Sequence, residues 1–328
     1  MASYYGKKLV INLFGESHGP AVGITMDGLP TGFEIDEVEL RNFMDRRASG
    51  NSDLTTQRKE ADLPEFISGI FQGKTCGTPL TILIRNGDAK SEDYGELHDV
   101  PRPGHADYTN HIRLSGDEDY RSGGHSSARL TAALTAGGGI AKQMLEDWGI
   151  TVDAKLIEVD GNSENFDEII AAAKEEGDSV GGIIECTIKG VPAGFGDPIF
   201  DGIENRFSQM IFAIPAVKGI EFGDGFQLAR MKGSESNDAF DFDEEGKVIT
   251  LTNHQGGILG GIANGMDIVF RVAFKPTPSI SKTQQSISYS KGEVVELQVK
   301  GRHDPCVALR GVPVVEAAAA ITMLDFLL

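Results

Sequence analysis

Three consecutive glycines, Gly137 to Gly139, sit inside SSARLTAALTAGGGIAKQMLEDWG (126–149), a stretch whose apolar spacing is otherwise that of a helix. Each glycine in a helix interior costs about 1 kcal/mol relative to alanine. A helix that accepts three in a row needs a compensating gain, and the simplest is another helix so close that no Cβ fits between them. The feature therefore predicts an interior helix in tight contact with a second one. A second glycine cluster, HQGGILGGIANG (254–265), also implies backbone held close to something.

Around this helix the chain alternates between both kinds of element. Apolar and polar residues alternate with strand period in DIVFRVAF (267–274) and EVVELQV (293–299), and KLVINLF (8–14) and PLTILIR (79–85) are strand-like. Helical spacing recurs in DEVELRNFMDRR (36–47), with Asp36 as its N-cap, in NFDEIIAAAKEEG (165–177) and in DGIENRFSQMIFAI (201–214). The apolar VPVVEAAAAITMLDFLL (312–328) is interrupted by Glu316 and Asp325, so it reads as a buried C-terminal helix and not a membrane span. The acidic ESNDAFDFDEEGK (235–247) reads as an exposed loop or hairpin. At 328 residues the chain has room for one large or two ordinary domains, and no internal repeat or Pro/Ser-rich linker marks a boundary.

A net charge of −19 argues against general nucleic-acid affinity and against an anionic membrane surface. Cys76, Cys186 and Cys306 form no CxxC pair, and together with a start that lacks a signal-type apolar core they point to a reducing, cytoplasmic setting. Against this acidic background the cations cluster. His98, His105, His111 and His125 share one segment with Arg102, Arg113 and Arg121, and Arg129 follows; Arg41, Arg46, Arg47, Arg58 and Lys59 form a second island. Singly, such residues are most often weak surface pairs. Together, fixed guanidinium groups and imidazoles that titrate near neutrality suit a small anionic ligand and proton transfer. No HExxH supports a metal site, no GxSxG or SxxK a serine nucleophile, and neither GxGxxG nor GxxxxGK[ST] a nicotinamide (NADP) or nucleotide fingerprint. GESHG (15–19), set between two apolar runs, reads by itself as a glycine-flanked polar turn.

These segments resemble the chorismate synthase family. The resemblance is carried, in order along the chain, by GESHGPAVGITMDGLP (15–30), DRR with TTQRKE (45–60), RPGHADYT (102–109), YRSGGHSSAR (120–129), GVPAGFGDPIFDGIE (190–204), AVKGIEFGDGF (216–226), NHQGGILGGIANG (253–265), KPTPSI (275–280) and GRHDPCVALRGVPVVEA (301–317). It implies an α+β fold, a β-α-β sandwich with helices enclosed between two antiparallel sheets, formed by residues 1–328 as one domain and assembled as a homotetramer. The activity implied is a lyase reaction that converts 5-enolpyruvylshikimate 3-phosphate to chorismate and phosphate by 1,4-anti elimination. Reduced FMN is the implied cofactor, lending electron density to the departing phosphate and recovering it.

Site residues follow from the same resemblance. His18 with Ser17 is matched to the leaving phosphate, His105 to the flavin N1 edge, and Asp304 to the aspartate that assists flavin N5 in taking the C6 proton; Ser127 completes the catalytic set. Arg47, Arg102 and Arg129 match substrate-binding arginines. The FMN positions are His125, Ser126, Ser127, Ala216, Gly260, Lys275, Pro276, Thr277, Pro278, Ser279 and Arg302. A substrate with a phosphate and two carboxylates needs paired cations if it is buried, and the two basic islands supply them. The chain departs from the family pattern at Asp53, where an arginine is usual, at His125 and Leu130 within the GRSSARET-like segment, and in ending at Leu328. Arg41 or Arg58 is the expected substitute for the arginine missing at 53. Glu16 has no chemical role in this reading, only that of holding the turn.

Overall fold

The computed structural model describes residues 3–50, 54–56, 60–87, 97–299 and 303–328. Its first sheet is built from β1 (Tyr4–Tyr5), β2 (Val10–Gly15), β3 (Ala21–Asp27), β4 (Pro64–Ser68) and β5 (Leu80–Arg85), ordered β1-β2-β3-β5-β4 with every pairing antiparallel. The second contains β6 (Thr151–Val159), β7 (Gly182–Lys189), β8 (Val217–Phe222) and β9 (Ile268–Phe274), ordered β8-β9-β7-β6 and again antiparallel. Both sheets bury one face. Leu80, Ile82 and Ile84 alternate into the core from β5, as Ile268, Phe270, Val272 and Phe274 do from β9. Each such side chain contributes about 1.5–3 kcal/mol when fully buried.

Between the sheets lie α1 (Glu37–Arg47), α3 (Thr131–Asp147) and α6 (Ala308–Leu327), with α2 (Asp107–Leu114), α4 (Phe166–Glu175) and α5 (Ile203–Ile211) completing the longer helices. The three glycines of α3 each meet a different neighbour. A Cβ on Gly137 would lie 2.7 Å from Ile24 of β3, one on Gly139 2.6 Å from Leu40 of α1, and one on Gly138 would overlap Ala317 of α6. α6 in turn rests on the second sheet, where a Cβ on Gly311 would sit 2.9 Å from the Phe274 ring. The layers therefore run sheet, helices, sheet.

The two acidic residues of α6 are buried and held. Glu316 takes a bidentate pair from Arg46 at 2.7 and 2.8 Å and a bond from Ala154 N at 3.0 Å. Asp325 accepts from the backbone of Lys7, Lys8 and Leu9 and pairs with Arg206. Asp36 caps α1, its Oδ1 accepting from Val38 N and Glu39 N at 2.9 Å.

Two helix starts differ from the spacing. α3 begins at Thr131 and not near 126, because Gly123 and Gly124 hold positive φ (87° and 53°) and Ser127 is extended, so residues 121–130 form short 3₁₀ turns. α6 begins at Ala308, ahead of Pro313, whose ring removes one backbone bond from the helix interior. The acidic segment contains a hairpin pairing Phe240–Phe242 with Val248–Thr250. Gly260 and Gly261, at φ 62° and 86°, form the two-residue turn between Ile258–Leu259 and Ile262–Ala263. No helix among the described residues is long and apolar enough to cross a membrane.

Candidate active site

The segments that lead into α2, α3 and α6, with the end of α1 and the residues after β9, enclose a cavity of about 910 Å³. Ala106, Ala128 and Val307 line it just ahead of three helix starts, where backbone N–H groups lack helical partners and favour an anion. Its wall carries Arg47, Arg102, Arg113, Arg129, Lys218, Lys275 and Arg310 against two carboxylates, Glu60 and Asp304. The cationic surplus that the composition hides is concentrated here.

Arg47 and Arg129 are held by the same design. Arg47 donates from Nε to Thr131 Oγ1 at 3.2 Å, from Nη2 to Ala128 O at 3.0 Å and from Nη1 to Asp62 Oδ2 at 2.6 Å. Arg129 donates to Asn86 Oδ1 at 2.8 Å, to Arg85 O at 3.1 Å and to Asp62 Oδ1. Asp62 is buried between them. Burial acts to raise its pKa, but the two guanidinium groups outweigh that and hold it below the usual carboxylate range. Burial likewise pulls Arg47 down to about 10, leaving it charged at neutral pH.

Arg102 forms a second cluster, with Asp107 accepting from its Nε at 2.7 Å and from Nη2 at 2.8 Å, while Nη1 donates to Ser279 Oγ at 3.0 Å. His105 adds its Nδ1, 2.6 Å from Asp107 Oδ1. Asp304, at the mouth of α6, accepts from Thr56 N and from Arg310 Nη1, both at 2.8 Å.

His125, Ser126, Ser127, Ala216, Lys275, Thr277, Pro278 and Ser279 all line the cavity, as do Arg47, Arg102, Arg129, His105, Asp304 and Leu130. The His125 ring is fully used: Nδ1 donates to Gly15 O and Nε2 accepts from Ser3 Oγ, both at 2.8 Å. Ser127 Oγ accepts from Arg129 N at 3.3 Å. Pro276 is exposed beside the wall, and Gly260 lies in its hairpin away from it. Arg302, Asp53 and Arg58 fall outside the described residues. Arg41 pairs with Asp45 at 2.8 Å on α1 and is not on the cavity wall, so it does not stand in for the arginine missing at 53.

Ser17 and His18 are also off the wall. Both are buried; Ser17 N donates to Gly124 O at 3.1 Å, and Asp119, whose pKa is held down chiefly by its hydrogen bonds from Arg121, also has His18 near it. Asn86 closes the GESHG turn, donating to Glu16 O at 3.1 Å and Gly19 O at 2.8 Å. It is thus the Glu16 carbonyl that holds the turn. Asp62, Asn86, Asp107 and Arg310 escaped the sequence reading; Asp107 alone had a local signal, two residues after His105 in GHAD.

The wall suits a flavin mononucleotide. Thr277 Oγ1 is buried with no hydrogen-bond partner among the described residues. Neither Lys275 nor Lys218 has a carboxylate partner among the described residues, and burial together with Lys218 lowers the Lys275 pKa. Lys275 Nζ donates to Gly104 O, and a phosphate is the kind of group that two lysines and a free hydroxyl on this wall can bind. Ala216, at φ 74°, turns its carbonyl to Lys275 N at 2.9 Å and presents little side chain to a ring system.

Known proteins similar to this chain share one family. The family model described as chorismate synthase matches residues 9–328. The chorismate synthase of Chitinophaga pinensis is 49% identical over 326 residues, covering 99% of this chain and 96% of its own length. That of Methanosarcina mazei is 45% identical over 350 residues, covering 99% and 95%. A solved structure, described as a crystal structure of chorismate synthase, superposes with a TM-score of 0.76 at 27% identity, covering 98% of this chain and 92% of the other. The chain belongs to the chorismate synthase family.

Proposed function

We propose that this cavity is where the chain, as a chorismate synthase, converts 5-enolpyruvylshikimate 3-phosphate to chorismate and phosphate, and that its residues divide the work as follows. Arg47, Arg102 and Arg129 bind and orient the substrate's anionic groups, each guanidinium prefixed by bonds to the protein. Lys275, Thr277 and Ser279, with Lys218 beside them, hold the FMN end of the cavity, and Gly260, Pro276 and Arg302 remain assigned to FMN by resemblance. When bound there, reduced FMN would supply transient electron density to the allylic system, with no net oxidation. Asp304, held by Arg310 and Thr56, is the carboxylate that would assist the cofactor in taking the C6 proton. His105 exchanges a proton at the cofactor side. His18, with Ser17, protonates the leaving phosphate, the role the GESHG motif implies for them.

The observation that carries this reading is the convergence of three buried arginines, an imidazole and a carboxylate from segments over 250 residues apart on one cavity. A volume of about 910 Å³ lies at the upper end for small-molecule sites and suits two ligands held together. Anaerobic turnover with dithionite-reduced FMN, followed by chorismate absorbance, tests it. Product formation is expected; none from folded, FMN-saturated protein refutes it.

The whole chain acts as one unit in this reading, in the cytoplasm, in keeping with three unpaired cysteines. It assembles as a homotetramer, supported by exposed apolar side chains such as Phe200 and Phe226 that a partner copy would cover. Light scattering should give the mass of four chains; a monomer mass speaks against assembly.

A further inference from the structure

Asn86 stands where the GESHG turn and a cavity arginine meet. It follows Arg85, the last residue of β5, and the β3–β5 register sets Arg85 against Ala21, just past the turn that joins β2 to β3. Its backbone N donates to Pro20 O at 3.1 Å, which seats the residue beside that turn. The side chain then reaches both ways. Nδ2 donates to Glu16 O at 3.1 Å and to Gly19 O at 2.8 Å, while Oδ1 accepts from Arg129 Nε at 2.8 Å. These partners fix the amide's orientation, because a guanidinium only donates and a main-chain carbonyl only accepts. Arg129 is held at Nη1 by Asp62 and at Nη2 by Arg85 O, bonds that leave an N–H on each of these nitrogens for a ligand, whereas its single Nε–H is committed to Asn86.

We propose that Asn86 is a positioning residue whose one carboxamide fastens the GESHG turn to the Arg129 guanidinium, so that the arginine on the cavity wall and the turn carrying Ser17 and His18 keep a fixed relation. The proposal deepens the active-site reading, and its kinetic consequences rest on that reading. Only a side chain that donates and accepts at once can make the link. A carboxylate at this position still accepts from Arg129, but it sets an oxygen against the Glu16 and Gly19 carbonyls and releases the turn. An alanine releases both ends.

Asn86→Asp, nearly identical in shape, separates the two ends. It should cut kcat about tenfold in the parent protein, as expected when a reacting group is misplaced, but no more than about twofold in His18→Ala protein, whose turn has no imidazole left to place. Parent-level kcat, or the full loss persisting in the His18→Ala background, overturns the proposal. Asn86→Ala, which frees Arg129 as well, should also raise KM for 5-enolpyruvylshikimate 3-phosphate about tenfold; an unchanged KM overturns the link to Arg129. Amide hydrogen exchange at Gly19 needs no turnover. Exchange about tenfold faster in Asn86→Asp than in the parent is expected, and equal rates overturn the proposal whether or not the protein makes chorismate. Faster exchange in a protein whose parent form makes no chorismate sinks the active-site reading and leaves the link standing.

Discussion

Asp62 sits at φ 47°, a region that asparagine and aspartate tolerate better than most side chains, with one carboxylate oxygen on Arg47 and the other on Arg129. Removing one partner of a buried ion pair costs about 3–5 kcal/mol, because the remaining charges stay desolvated. Asp62→Asn keeps the shape and the backbone preference, so its effect isolates the charge. The Asp62 pKa is depressed in the folded protein. Its contribution is therefore fully present above the unfolded value of about 3.9 and is lost as pH falls through the lower folded value. Urea unfolding should show Asp62→Asn destabilised by several kcal/mol at pH 7, with the gap to the parent closing in strong acid; an equal gap at both pH values contradicts the assignment. Nothing local in ADLPEF announces this, since the two arginines lie 15 and 67 residues away. Arg46 teaches the same lesson, passing over adjacent Asp45 for Glu316, 270 residues on. Charge pairing across elements is set by the fold, and residue spacing carries no signal of it.

At the level of elements, α3 tests the packing argument most sharply. Gly138→Ala should gain about 1 kcal/mol of helix propensity, yet its methyl would overlap Ala317 of α6. Overpacking of this kind costs about 1–3 kcal/mol, so net destabilisation is expected in chemical denaturation, with Ala317→Gly recovering part of it. A more stable Gly138→Ala protein would contradict close contact between the helices. The interior setting of α3 was legible because three glycines have few other uses in a helix. Its start was not, because the positive φ at Gly123 and Gly124 that delays it answers to the cavity and to His105. Strands were legible where one face is buried, as in β5 and β9, whose fully buried positions alternate along the strand.

Across the whole molecule, an acidic surface surrounds one cationic cavity, an arrangement that draws small anions inward while keeping polyanions from binding generally. Periodicity alone established mixed strands and helices; the stacking of helices between two sheets came from family resemblance, because no local signal encodes which sheet a strand joins. The same holds for the site. Arg47, Arg102, Arg129, His105 and Asp304 line one cavity, whereas Ser17 and His18 are not on its wall.

A crystal structure with oxidised FMN and 5-enolpyruvylshikimate 3-phosphate tests the central claim most directly. Both ligands are predicted inside the cavity, the FMN phosphate on Lys275 and Thr277, the substrate's anionic groups on Arg47, Arg102 and Arg129, and His105 beside the flavin. Ligands bound elsewhere, or a substrate that leaves all three arginines untouched, would contradict it.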